Sequence, residues 1–297
     1  MESFSRGWSF LKQAWSMAFK DKDLLKPSLY ALVAGMIVSI IGVIPIAIVA
    51  FLFSGSQIGN IVMGVLGAIM IFVQFVVTYV FSGMTAYLIF GYLSEGDGRM
   101  DKAWNVVRRD FFDILTLAAA STAVNLVKNA ANRNRRGLAS GLIRGAVNLF
   151  EVLWTEASYL ILPAMVIDDL NLKEGMQRVL NITKQNLLLI GISTVGVRWV
   201  TGLIGFLLGF GGFVIALAIG GGAVYASGGF NFVSIAAIAL AAFIFFMFIV
   251  VASVISSYTS IAYHTCLYIW ARDVEKAQAA GQSFQVAAPA PLAAVLS

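Results

Sequence analysis

The chain has 297 residues, of which 60% are hydrophobic and 12% charged, and its mean hydropathy is +0.87. That balance excludes a water-soluble globular fold, a disordered chain and a nucleic-acid binder. The net charge of +5 comes from 20 Lys and Arg against 15 Asp and Glu, gathered in clusters between apolar runs, so the composition implies an all-α, polytopic helical membrane protein.

Residues 1–27 carry Arg6, Lys12, Lys20, Lys22 and Lys26 among aromatics. They lack a short apolar stretch ending in a small-residue cleavage site, so a cleaved signal peptide is not expected and the first span directs insertion. Trp8, Leu11, Trp15 and Phe19 recur at helical spacing. The segment therefore reads as an amphipathic interfacial helix whose basic face meets anionic headgroups. A single membrane domain occupies 28–274.

A bilayer core of about 30 Å needs roughly 20 apolar helical residues. Residues 28–53, 58–93, 187–220 and 231–271 meet that requirement. The second and fourth runs have no charged residue. As single helices they would measure about 54 and 62 Å, so each must tilt, kink or project; the alternative is a break at Gly83 or at Ser256 and Ser257.

Between them lie two less apolar stretches, 111–127 and 145–167. The linker that joins them holds Lys128, Arg133, Arg135, Arg136 and Arg144 without an acid. The positive-inside rule puts this basic cluster in the cytoplasm, with both termini, while the uncharged segments 54–60 and 221–230 suit the outside. The arrangement that satisfies every loop has four long transmembrane helices plus a central pair that re-enters or spans briefly. Asp113, Glu151 and Glu156 favour it, because carboxylates cost less near an interface or a wet cavity than against lipid. The alternative, six full spans, places the arginines outside.

Segments 4–29, 99–117 and 172–190 each set apolar residues at helical spacing among Lys or Arg just before an apolar hairpin. They suggest a threefold unit of interfacial helix plus hairpin.

Arg198 is a basic residue deep in an apolar run, and Glu151 and Glu156 are its natural counter-ions. The pairing reads either as a structural ion pair or as part of an anion path. Ser253, Ser256, Ser257, Ser260 and His264 share one face of the last helix. Gln74, Thr78, Ser82 and Thr85 form a second polar stripe, and Asn148, Glu151, Thr155 and Ser158 a third. Such stripes either line a hydrated cavity or hydrogen-bond between helices.

His264 and Cys266 are single residues of their types, so no metal site, disulfide or cofactor is expected. His264 reads as a hydrogen-bonded helix residue near the cytoplasmic interface, with a proton relay as the alternative. Gly137, Gly141 and Gly145, and Gly205 with Gly209, have the small-residue spacing that lets membrane helices approach closely. No HExxH, GxSxG, P-loop or GxGxxG motif occurs, so an enzyme is not expected. The tail, 275–297, is rich in Ala, Gln and Pro and orders only against a surface, such as a neighbouring subunit.

The opening FSRGWSFLKQAW…FKDKDLLKPSLYAL and LPAMVIDDLNLKEGMQRVLNITKQN at 162–186 resemble a family of multispanning bacterial and archaeal membrane proteins that has no assigned activity. The likeness extends over most of the chain before the tail. More remotely, long spans beside half-penetrating hairpins resemble the CysZ-type sulfate channels, which implies an anion conduit. Together these readings point to a non-enzymatic, channel-like or transporter-like protein of the cell membrane, homo-oligomeric or part of a membrane complex. The alternative is a structural or accessory subunit that organises such a complex or the bilayer.

Overall fold

The structure is a computed structural model that describes residues 2–53, 55–133, 138–280 and 286–296. The side chains of 2–4, 133–143, 183–199, 279 and 294–296 are outside that description, so Arg133, Arg135, Arg136, Gly137, Gly141 and Arg198 fall outside the described residues. The first five helices are α1 (Glu2–Lys20), α2 (Lys26–Leu52), α3 (Gln57–Glu95), α4 (Met100–Arg109) and α5 (Phe111–Arg133). After them come α6 (Leu138–Asp168), α7 (Leu172–Ala226), α8 (Phe232–Ala279) and α9 (Ala290–Leu296). A 3₁₀ turn, Lys22–Leu24, joins α1 to α2. Among the described residues there is no strand, and six helices are long and apolar enough to cross a membrane. The molecule is an all-α, multi-pass integral membrane protein.

Local chemistry sets the ends of the long helices. Ser56 caps α3 by accepting from the Gly59 N–H, while Asn171 with Glu174 and Asn231 with Ser234 form capping boxes that start α7 and α8. α3 stops at Gly96, whose φ of 78° is left-handed and suits a residue without Cβ. Neither Gly83 nor Ser256 and Ser257 breaks its helix; α3 and α8 are continuous through them. The basic stretch 172–190 likewise runs without a break into the apolar span, as the first part of the 55-residue α7. The threefold unit therefore keeps a separate leading helix only at α1 and α4.

α2 packs on α3 and α7 on α8 as two apolar hairpins, and the hairpin α5–α6 sits between them against α3 and α8. At one end of the molecule, the basal end, the helices converge on a shared core. It contains Leu88 and Ile89 of α3, Ile114 and Leu117 of α5, Ile161 and Met165 of α6, and Tyr258, Tyr263 and Tyr268 of α8, all buried. Towards the distal ends, Ile40, Phe51, Ile61, Phe206, Phe210 and Phe243 are exposed, the surface an acyl-chain solvent requires.

α1 docks on this core through Phe10, Ala14, Met17 and Ala18, while Trp8 and Phe19 are exposed. The expected stripe of Trp8, Leu11, Trp15 and Phe19 is therefore divided. The packing face is turned towards Tyr258 and Tyr263, where Phe10 meets Tyr263 edge-on and Trp15 Nε1 donates to Thr259 Oγ1 at 3.2 Å. The tail packs within the chain: α9 lies on α1 and α8, Leu292 is buried, and Trp270 Nε1 donates to the Val286 carbonyl at 3.3 Å.

Charged groups gather at the basal end. Asp168 accepts from Tyr268 and from Arg272 Nη1, and Arg178 pairs with Glu275 at 2.7 Å. Arg109 grips the buried Asp110 through two N–H donors at 2.6 and 3.0 Å. Burial pushes the Asp110 carboxyl above the usual carboxylate range although Arg109 opposes the shift.

α5 is the shortest of the six long helices, 23 residues against 27 in α2 and 39 in α3, while α6 has 31. Tyr79 Oη and Ser121 Oγ, 2.7 Å apart, set α5 in register against α3. About 18 Å of α5 lies distal to Ser121 and about 33 Å of α3 lies distal to Tyr79, so along the helix axes α5 ends about 15 Å below the distal end of α3.

Candidate functional site

The polar side chains of the central hairpin meet those of α3 and α8 in the region where the two apolar hairpins separate. Trp154 Nε1 donates to Ser121 Oγ at 2.9 Å, and Tyr79 shares that hydroxyl, so one serine ties α3, α5 and α6 together. Beside this junction is a cavity of about 90 Å³ lined by Thr78, Ser121, Asn125, Glu151, Thr155 and Ser158 with aromatic neighbours. At roughly 30 Å³ per water its volume corresponds to about three waters.

Two acid–base pairs flank the cavity. Lys128 Nζ donates to Glu151 Oε1 at 2.7 Å across the hairpin, with both side chains about a third exposed or less. One turn and a half further along α6, Glu156 Oε2 lies 3.0 Å from Nε2 of the buried His264. The Tyr159 ring, which also lines the cavity, stacks on His264 with centroids 5.0 Å apart. α6 thus carries both acids on the side that faces α5 and α8, and both are balanced, as ionisable groups in an apolar bundle require.

The other residues singled out by sequence fall in different places. Gln74 Nε2 donates to the Gly35 carbonyl at 2.9 Å and to Ser39 Oγ at 2.8 Å, so its amide holds α3 to α2. It faces a groove of about 850 Å³ between α2, α3 and α5, in which Thr78 and Asn125 also line the boundary with the small cavity. Ser260 contributes through its carbonyl, 2.7 Å from His264 Nδ1. Ser253 is exposed and Ser257 half-buried, and neither lines the cavity. Of the basic cluster, Lys128 and Arg144 are described, and both are half-buried. Lys128 is the described partner of Glu151, one of the two carboxylates expected to balance Arg198.

The expected packing glycines are also placed differently. A Cβ built at Gly145, Gly205 or Gly209 meets nothing within 4 Å, whereas at Gly212 it would lie 2.7 Å from Phe248 Cβ. The close approach of α7 and α8 occurs one turn beyond the GxxxG pair, because the crossing point is set by which face meets α8 rather than by spacing alone.

Tyr79, Ser121, Asn125, Trp154 and Tyr159 are site residues that the reading of polar stripes passes over. Ser121 and Asn125 were legible as small polar residues one turn apart in α5. The aromatics were not, since their spacing is equally that of a core. Among the described residues no group of three His, Cys, Asp or Glu could hold a metal ion. Compared with known protein families and with curated proteins, the chain matches none.

Proposed function

We propose that this integral membrane protein is a non-enzymatic, channel-like or transporter-like protein that passes a small solute or anion along the polar side of α5 and α6. The reading places it in the cell membrane with both termini in the cytoplasm and its basic N-terminal helix against anionic headgroups. The observation that carries it is the small cavity bordered by Glu151, with two acid–base pairs beside it, Lys128–Glu151 and Glu156–His264, in an otherwise apolar bundle. Apolar packing would serve stability as well as or better than ion pairs in such a place, so their presence favours passage of a polar species.

The test is flux from proteoliposomes loaded with labelled sulfate or chloride, with sucrose as leak control. Lys128→Met and Glu151→Gln are expected to cut anion flux at least tenfold while the protein reconstitutes normally. Unchanged flux in both variants removes these residues from the pathway. No anion flux above the sucrose control in wild-type vesicles removes the conduit and leaves the accessory-subunit reading, which the open faces of Gly205 and Gly209 favour.

A further inference from the structure

His264 is the only histidine of the sequence, and both of its ring nitrogens face oxygen. Nδ1 lies 2.7 Å from the Ser260 carbonyl oxygen, one turn earlier on α8. Nε2 lies 3.0 Å from Glu156 Oε2 on α6. A carbonyl oxygen only accepts, so the first contact is a hydrogen bond when Nδ1 carries the proton. A neutral ring has one N–H, and with that proton on Nδ1 a bare Nε2 would face the lone pairs of a carboxylate. The second contact becomes favourable when one more proton is present, on Nε2 beside an ionised Glu156 or on the carboxyl group itself.

The surroundings hold the ring in this position. Tyr159 stacks on one face and Tyr263 meets it edge-on with centroids 5.1 Å apart. His264 is 4% exposed at the side chain, while Glu156 is 23% exposed, so the carboxyl group is the more accessible member of the pair. Among the described residues the titratable groups around the pair are Tyr159 from α6, Tyr263 on α8 and, behind Tyr159, Tyr79 from α3. Several described charges of the other packed elements are engaged elsewhere or face outward. On α7, Arg178 pairs with Glu275; at the start of α2, Lys26 pairs with Asp23; Lys12 and Lys20 of α1 are exposed.

We propose that Glu156 and His264 form a proton-binding site in which one dissociable proton is shared between the carboxyl group and Nε2 at neutral pH. That the bound proton accompanies a solute rests on the conduit reading; the binding of the proton does not.

A unique histidine makes the test direct. The full chain is labelled with ¹⁵N-histidine, placed in lipid nanodiscs at pH 7.5, and examined by ring-nitrogen NMR together with infrared absorption of protonated carboxyl groups. An isolated histidine with a pKa of about 6.5 is about nine-tenths neutral at that pH. The expected wild-type result is a protonated Nδ1 plus one further proton, seen on Nε2 or as a carboxylic-acid band that Glu156→Gln abolishes. In Glu156→Gln the ring is expected to be singly protonated, at Nδ1. A wild-type ring protonated at Nε2 alone, or a singly protonated ring with no protonated carboxyl group, overturns the proposal. The wild-type spectrum decides, so a variant that fails to fold does not obscure the answer. Vesicles that pass no anion overturn the conduit and leave the spectrum unaffected; conducting vesicles with an unprotonated pair overturn the proton site alone.

Discussion

The ammonium of Lys128 and the carboxylate of Glu151 are 2.7 Å apart, and each leaves an uncompensated charge if the other is removed. That asymmetry is measurable. Lys128→Met and Glu151→Gln are each expected to destabilise the protein by about 1–3 kcal/mol, while the double variant recovers at least half of the summed loss. Thermal midpoints of the four proteins in one detergent give the cycle; additive losses would show that the two groups do not depend on one another. Asp110 supplies a second prediction at this scale. Its folded-state pKa is raised by burial, so its contribution to stability is complete below the ordinary carboxylate range and is lost as pH rises through the raised value. From pH 4 to pH 7 the wild type should therefore lose thermal stability relative to Asp110→Asn. A relative gain would mean that attraction by Arg109 outweighs burial.

At the scale of the helix, the same substitution should have opposite signs at two glycines of α7. Gly209→Ala introduces a Cβ into open space and gains about 0.5–1 kcal/mol of helix propensity. Gly212→Ala drives a Cβ to within 2.7 Å of Phe248 Cβ, which separates α7 from α8 and costs about 1–3 kcal/mol. Paired unfolding curves check the contrast, and equal effects would remove Gly212 from the crossing. The sequence names both residues as small and cannot say which one faces the partner helix, because GxxxG spacing defines a stripe and not its orientation. α1 shows the same limit. Its helical periodicity was readable, yet the face that packs is selected by Tyr258 and Tyr263, more than 200 positions away. Replacing Leu292 by Asp tests the matching contact on the tail, since its burial predicts that residues beyond Ala280 become many-fold more sensitive to limited proteolysis while α2–α8 remain protected.

For the whole molecule, the membrane class, the helical content and the long spans were legible because each arises from a local run of apolar residues and its capping residues. The site was legible only in part. Glu156 and His264 are 108 positions apart, and no local pattern states that two polar stripes face each other. The depth of the central hairpin is a property of the same kind, fixed by the register of Tyr79 on Ser121 rather than by the composition of α5. It also separates the two topologies. If the four long helices span and α5 stops about 15 Å short, single cysteines at Ser56 and Ser227 in a Cys266→Ser background should react with an impermeant maleimide on intact cells. A cysteine at Asn134, between α5 and α6, should stay protected, as should one at Gly96 at the basal end. Protection at Asn134 alongside reactive Ser56 and Ser227 places Lys128 and Glu151 within the bilayer, reachable from the basal side, where a two-sided pathway would need the groove beside Gln74 and Thr78 to complete it. Reaction at Asn134 as well makes all six helices spanning and puts the arginine-rich turn in contact with whatever anion lies outside.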